Sequence, residues 1–552
     1  MLSDACIIDG YVDEPACLGV PPYISPYVRT VAGVLLEKGF TPDYFTIDQV
    51  RLDPYKIFKS EYSLLVVIAG TTVPGKYIGG TPANLNELRQ IGDGFYAERK
   101  VLCGPVTLGH LTRGGEKATK LKISGFDAIL PSPPDIPLSQ YLEGQPITHT
   151  HSYESSDRWS VLGAEIIRKH PSFPDIMCEL ETARGCHRYY SGCCSFCTEI
   201  FYGPPHFRRP DAVFNEVKAL YENGGRHFRL GRQPDLLTYG SLDIEFPEPR
   251  PDMLYKLFRA VRYAAPSLLT LHIDNINPGT IARHPEKSEE ALNIIIKYHT
   301  TGDVAAFGLE SADPVVIEKN NLVVTPEEVL SAIELVNRTG GVLRNGIPEL
   351  LPGINFICGL YGETSETYRK NRDFLNEIKK RGLILRRINI RQLVPFEGTR
   401  AYEKNNLHKF KNEFFQFKEF VNRQIDHYMV EKVFPLGTCL KSVIIEKNNG
   451  ISFGRQLGSY PILVGIPVSF GLKEKIDVVV VSWGARSITA LPIPININLL
   501  PSSALRWLPG ISDPKLAAIE RSRPFQSLED LQKVTGMTPL DKHYSFKLHE
   551  SQ

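Results

Sequence analysis

Four of the chain's ten cysteines, Cys186, Cys193, Cys194 and Cys197, lie within twelve residues. Thiols gather this densely to bind metal, to form disulfides or to exchange electrons. The other cysteines are scattered over 552 residues and do not make a disulfide framework. A reducing cytoplasm is therefore expected, where a tight cysteine group points to metal. Structural zinc sites usually combine two Cys-x-x-Cys or His pairs. Here only Cys194 and Cys197 form such a pair, with Cys186 eight residues before Cys194. A thioredoxin-like pair leaves the extra thiols unexplained. Three thiolates around an iron–sulfur cluster leave one iron open for chemistry, and this reading uses the odd ligand count best.

The rest of the composition sets limits. At about 150 residues per domain, the length allows three or four domains. Lys and Arg number 63 against 62 Asp and Glu, a net charge of +1. Contact with nucleic acid must then come from local patches. No apolar run reaches the roughly 20 residues of a membrane span. The start of the chain lacks a basic segment followed by an apolar one, so no signal peptide is expected.

Residues 1–145 read as α/β. Buried parallel strands are expected at 5–8, 64–69 and 101–102, with helices at 26–38 and 82–91 between them. These elements imply a doubly wound sheet, with any ligand at the strands' C-terminal ends. The Pro-rich stretch 131–160 reads as a linker with solvated His149 and His151. Residues 170–400 alternate strand and helix six times, with strands at 177–181, 227–230, 268–273, 305–308, 354–358 and 387–393. This suggests a parallel barrel, partial or full, whose site lies at the C-terminal strand ends. The cysteines follow its first strand. Residues 401–435 read as a helical connector, 436–494 as a small antiparallel β-barrel, and 496–552 as a short helical unit.

Against this background, Arg184-Gly-Cys186 and Cys194-Ser-Phe-Cys197 resemble the cluster loop of the radical S-adenosylmethionine (SAM) superfamily, Arg-Gly-Cys-x-x-x-Cys-Ser-Phe-Cys. Seven residues separate Cys186 from Cys194 where three are usual. Ala306-Phe-Gly-Leu-Glu-Ser311 is similar to the family's fourth-strand Gly-x-Glu-Ser. Gly359-Leu-Tyr-Gly-Glu-Thr364 and Val394-Pro-Phe-Glu-Gly-Thr-Arg400 resemble its later turns. The resemblance implies a partial (β/α)6 barrel, a [4Fe-4S] cluster on Cys186, Cys194 and Cys197, and SAM bound at the open iron. Cys193 is then spare, or replaces Cys194. An electron donor of flavodoxin or ferredoxin type is implied as a partner.

By the same resemblance, Phe196 packs near the adenine, and Gly231, Arg232, Gln233 and Gly359 fall at cofactor-binding turns. Where the family has Gly-Gly-Glu, this chain has Gly231-Arg232-Gln233, so Arg232 is free to pair a carboxylate. Glu310 is expected either on the ribose hydroxyls or ammonium of SAM, or at a helix N-terminus. Asp274 and Asn275, ending the third strand, face the radical or substrate, or form a turn.

In residues 1–145, the Leu102-Cys-Gly-Pro105 strand end, the segment from Gly39-Phe40 to Ile47-Asp48, and Phe126-Asp-Ala-Ile-Leu130 resemble the Rossmann-like cobalamin-binding domains that precede many radical SAM domains. The Asp-x-His-x-x-Gly signature is absent, so cobalamin is the lesser expectation. Phe453-Gly-Arg455 and the glycine pattern around it are reminiscent of the TRAM barrel of tRNA methylthiotransferases, for which Cys6, Cys17 and Cys103 could supply a second cluster. Leu508-Pro-Gly-Ile-Ser512 resembles a helix-hairpin-helix, in which Pro509, Gly510, Ile511, Ser512 and Lys515 would meet a phosphate. Arg521 and Arg523 could assist, diluted by Glu520, Glu529 and Asp530. The whole is most similar to mostly archaeal radical SAM enzymes with a C-terminal helix-hairpin-helix. Three readings are open: modification of a nucleic acid, tRNA before DNA, by hydrogen abstraction; action on a small molecule or lipid; and a cluster-containing binding protein without turnover.

Overall fold

A computed structural model describes residues 3–14, 17–58, 61–71, 80–111, 114–149, 151–322, 324–536 and 540–546. Five parallel strands open the chain: β1 (Ser3–Asp9), β2 (Phe40–Thr46), β3 (Tyr62–Ile68), β4 (Ala97–Cys103) and β5 (Ala128–Ile129), in the order β2-β1-β3-β4-β5. Alternation along each strand sends side chains to two cores. Ala5, Ile7, Leu64 and Val66 face one, Cys6, Ile8, Leu65 and Val67 the other. Cys6 and Cys103 therefore point to opposite faces, which separates them as ligands of one cluster. The side chain of Cys17 lies outside the described residues.

The stretch read as a linker contains helices. Asp135–Leu142 places Pro137 in its first turn, where no intrahelical N–H is lost,. Tyr153–Leu162 packs on the helix Pro26–Glu37 so closely that a Cβ on Gly33 would meet the Trp159 carbonyl at 2.0 Å. His149 is exposed, but His151 is half-buried against Tyr153. Burial pushes its pKa down to about 3.

Six parallel strands come next, in sequence order: β6 (Met177–Glu181), β7 (His227–Gly231), β8 (Thr270–Ile273), β9 (Asp303–Glu310), β10 (Leu350–Cys358) and β11 (Arg387–Gln392). A parallel bridge between Asn275 and Ala306 joins β8 to β9. The two-residue strand Tyr23–Ile24 pairs with β6, so the first 25 residues contribute to this sheet too. Outward residues such as Cys178, Leu180, Phe228 and Leu230 share one core with the inner face of the first sheet.

Residues 439–492 close a five-stranded barrel of β12 (Cys439–Asn448), β13 (Ser452–Arg455), β14 (Leu463–Ile466), β15 (Lys475–Trp483) and β16 (Ser487–Pro492). The expected antiparallel pattern holds except that β14 and β16 pair in parallel. Helices Ser502–Leu505, Asp513–Ser522 and Leu528–Thr535 then pack on β15 and β16 through Leu508, Ile519 and Leu531. No helix among the described residues is long and apolar enough to cross a membrane.

The β13–β14 turn enters the larger barrel. Ser459 N–H donates to His272 Nδ1 at 2.7 Å, and Ser459 Oγ to the Ile273 carbonyl at 3.0 Å. Tyr23 donates to the Gly458 carbonyl. A Cβ on Gly458 would stand 2.8 Å from the His272 ring, so only glycine passes there,. The turn touches Tyr23 on one side and stacks Tyr460 under Arg387 of β11 on the other. It thus fills the side left open between the first and last strands.

Candidate active site

The cysteine loop begins where β6 ends. Ala183–Arg184 pairs with His206–Phe207, which closes residues 185–205 into one loop. Gly185 has φ +82°, and a Cβ there would lie 2.3 Å from the Pro204 carbonyl oxygen. The glycine between Arg184 and Cys186 is thus a steric requirement. Glu181 accepts from Arg184 Nε at 2.9 Å and from the Tyr153 hydroxyl at 2.8 Å. Burial raises its pKa, but the Arg184 guanidinium outweighs that and holds the carboxyl at about 2,.

The long Cys186–Cys194 spacing folds into compact turns. Tyr189 N–H donates to the Cys186 carbonyl at 2.9 Å, and Cys193 N–H to the Arg188 carbonyl at 2.9 Å. Asn321 Nδ2 donates to the Cys193 carbonyl at 2.6 Å and Arg400 donates to it at 2.7 Å. Ser195 Oγ donates to Asn320 Oδ1 at 2.8 Å. Residues beyond β9 and β11 therefore hold the insert, a long-range fact that no local motif reveals.

All four cysteines line one cavity at the C-terminal strand ends. Cys186, Cys194 and Cys197 are half-buried, and Cys193 is buried with φ +53°. Arg188 donates its backbone N–H to Cys186 Sγ at 3.4 Å and its guanidinium to Cys194 Sγ at 3.5 Å. A hydrogen bond from the Cys193 thiol holds Cys186 below the usual thiol range. Burial pushes Cys194 up to about 12 and Cys197 well above its ordinary value. Among the described residues no three His, Cys, Asp or Glu side chains are close enough to share a single metal ion. A cubane needs a wider set, because each thiolate binds a different iron.

Glu310 lines the same cavity. The β9–β10 register shifts between Gly308 and Glu310, and Glu310 has φ +67°. A Cβ on Gly308 would come within 2.8 Å of Glu310 Oε1, so the glycine of Gly-x-Glu lets the carboxyl fold back over the strand. Oε2 is buried without a hydrogen-bond partner among the described residues. Burial raises this carboxyl to about 8. The helix N-terminus nearby belongs to Asp313, whose side chain accepts from Val315 N–H.

Phe196, Gln233 and Asn275 line the same cavity. Asn275 Nδ2 donates to the Gln233 carbonyl at 3.3 Å. The other expected residues are turned elsewhere. Gly231 makes room for Glu179, whose Oε1 would lie 1.7 Å from a Cβ there. Arg232, at φ +57°, does pair a carboxylate, but it is the chain's own Glu199, at 2.6 Å. The Gly359 N–H donates to both Glu363 oxygens, at 2.9 and 2.8 Å, within its own turn. Asp274 is bound by Arg229 and accepts from the Tyr460 hydroxyl at 3.2 Å. Pro509, Gly510, Ile511 and Ser512 form the turn before Asp513–Ser522, with Gly510 at φ +77° and Lys515 in that helix's first turn. None of these five lines the cavity.

Asn355, Arg391 and Tyr460, which motif reading missed, also line the cavity. A signal for Arg391 was present: Arg387, Asn389 and Arg391 alternate on one face of a strand expected to be core.

The radical SAM superfamily profile matches residues 180–375, from the end of β6 into the helix after β10. The chain carries a radical SAM domain. It is 42% identical over 540 residues to an uncharacterized protein of Archaeoglobus fulgidus, covering 97% of this chain and 98% of that one. Identity is also 42% over 510 residues to an uncharacterized protein of Methanocaldococcus jannaschii, covering 89% and 93%. The ribosomal protein uS12 methylthiotransferase RimO of Clostridioides difficile is 23% identical over 307 residues, 54% of this chain and 60% of RimO. Radical SAM enzymes cleave SAM with a [4Fe-4S] cluster. The residues here fit both groups: four spaced thiols and a carboxyl oxygen without a hydrogen-bond partner among the described residues line one cavity.

Proposed function

We propose that Cys186, Cys194 and Cys197 hold the cluster and that the enzyme modifies a C–H bond of a nucleic acid, tRNA first, by methylthiolation or a related reaction. When bound, the cluster would supply the electron for reductive cleavage of SAM, the source of the radical chemistry. Arg188 orients Cys186 and Cys194 and offsets their negative charge. Phe196 offers an apolar face for the adenine. Glu310 accepts from the ammonium or ribose hydroxyls of SAM, and this satisfies its orphaned oxygen. Cys193 stays outside the ligand set.

The observation that carries this reading is the pairing of the thiol wall with Glu310 in one cavity. The nucleic-acid part is supported by the two C-terminal modules. A closed five-stranded barrel is the strand count of oligonucleotide-binding OB folds. The Leu508–Ser512 turn leaves Gly510 and Ser512 exposed before a helix, a geometry suited to a phosphate. The likeness to RimO extends the methylthiolation reading. The parallel order β2-β1-β3-β4-β5 is that of flavodoxin-like sheets, which bind ligands where the order reverses; substrate recognition is its leading role, with cobalamin as the lesser. An external flavodoxin or ferredoxin supplies electrons, in the cytoplasm.

Reduced, reconstituted protein with SAM is expected to release 5′-deoxyadenosine and methionine. Absence of both, with cell extract added, would reduce the protein to a cluster-containing binder. RNA that co-purifies and dissociates with salt, and is lost on removing residues 495–552, is expected under the nucleic-acid reading. Turnover of a small-molecule fraction instead would favour the second reading, in which the C-terminal units only build the site.

A further inference from the structure

The cavity wall on β11 carries positive charge, and the Arg391 charge acts on Glu310, which lines the same cavity. β11 turns Arg387, Asn389 and Arg391 inward at alternate positions, as the strand period requires,. Beneath them, Arg229 binds both Glu179 and Asp274, so those two carboxylates are already engaged. Arg387 lies 4.0 Å above the Tyr460 ring. Arg391 lines the cavity beside Tyr460 and Asn355. Neither Arg387 nor Arg391 makes an ion pair within 4.0 Å among the described residues. Arg387 is half-buried and Arg391 is exposed to the cavity, and a guanidinium open to a cavity offers its planar fork to an incoming oxyanion. Tyr460 itself is held at φ +52° by the inserted β13–β14 turn, a left-handed conformation that costs energy for a bulky residue,.

We propose that Arg391, walled by Tyr460 and Asn355, is a subsite for an oxyanion of the substrate, a carboxylate or a phosphate. The inference rests on the cavity being the active site, and it gives the substrate an acidic group beside Arg391. Arg391 supplies the planar fork that matches an oxyanion. Arg387, stacked behind the ring, adds positive potential and fixes Tyr460. The small β-barrel then takes part in recognition through the turn it inserts.

The test is thermal melting of the full-length protein in phosphate, acetate or chloride at equal ionic strength. Phosphate or acetate is expected to raise the melting temperature above chloride, and the better of the two identifies the group. The shift should vanish in Arg391→Gln, shrink in Arg391→Lys and persist in Arg369→Gln, a surface control. Equal shifts in wild type and Arg391→Gln would overturn the proposal, as would no shift at all. If saturating SAM abolishes the phosphate effect, Arg391 serves the cofactor's own carboxylate and the proposal fails. Should Arg391→Gln not fold, the anomalous signal of selenate in wild-type crystals decides, at Arg391 or elsewhere. SAM cleavage is read on the same preparation without added anion, so a failed cluster assignment is separable from a failed subsite.

Discussion

Asp274 and Glu310 end neighbouring strands of one barrel, and burial raises the pKa of both carboxyls. Their surroundings differ sharply. Asp274 belongs to a closed network with Arg229, Glu179 and Tyr460, further tied by Ser459 to the inserted turn. Glu310 keeps an oxygen without a hydrogen-bond partner among the described residues, in a cavity shared with four free thiols. A buried polar group left unsatisfied costs stability. The chain tolerates that cost in the thiol half of the cavity and avoids it one layer below. Under the proposed function, ligand chemistry belongs to the thiol half and the lower layer is scaffold.

Substitutions should separate the two layers. Arg229→Leu leaves Glu179 and Asp274 buried without their shared partner. It is expected to cost about 5 kcal/mol, near the upper range for a broken buried pair, and chemical denaturation of the cluster-free protein would show this. Asp274→Asn keeps the shape and loses charge-assisted bonds, so about 2 kcal/mol is expected by the same measurement. If Asp274→Asn instead left stability intact and abolished SAM cleavage, Asp274 would belong with the reacting groups. Glu310→Gln should behave in the opposite way, sparing the stability of the cluster-free protein. Its pH dependence carries a sign. The folded carboxyl titrates at about 8 against 4.5 unperturbed, so the folded state holds a proton that the unfolded chain has lost. That stability is complete below about 4.5 and is lost as pH rises through about 8,. The Gln variant should show a flatter profile over this window in thermal melts.

Much of the thiol half was legible because its requirements are local. Gly185, Gly308 and Gly359 each serve a nearby steric or hydrogen-bonding need within their own motif. The six strand positions could be read from apolar runs spaced by amphipathic helices. The lower layer was hidden for the opposite reason. Arg229 meets Ser459 across 230 residues, and Tyr23 meets Gly458 across 435. No spacing rule links a turn in a small β-barrel to the inside of another barrel. Asp274 ends its strand as expected, but its partners Arg229 and Tyr460 come from elsewhere in the chain. Arg232 shows a smaller version of this, since Glu199, its partner, lies 33 residues away in the cysteine loop.

The most direct test is iron content and visible absorption after anaerobic reconstitution of four single variants, Cys186→Ala, Cys193→Ala, Cys194→Ala and Cys197→Ala. The expected result is a cluster retained in Cys193→Ala alone, with 5′-deoxyadenosine formed from SAM only by that variant and the wild type. A Cys194→Ala protein that kept its cluster while Cys193→Ala lost it would contradict the ligand assignment. A protein lacking Cys186, Cys194 and Cys197 that still bound a full cluster would contradict the assignment of this cavity as the cluster site.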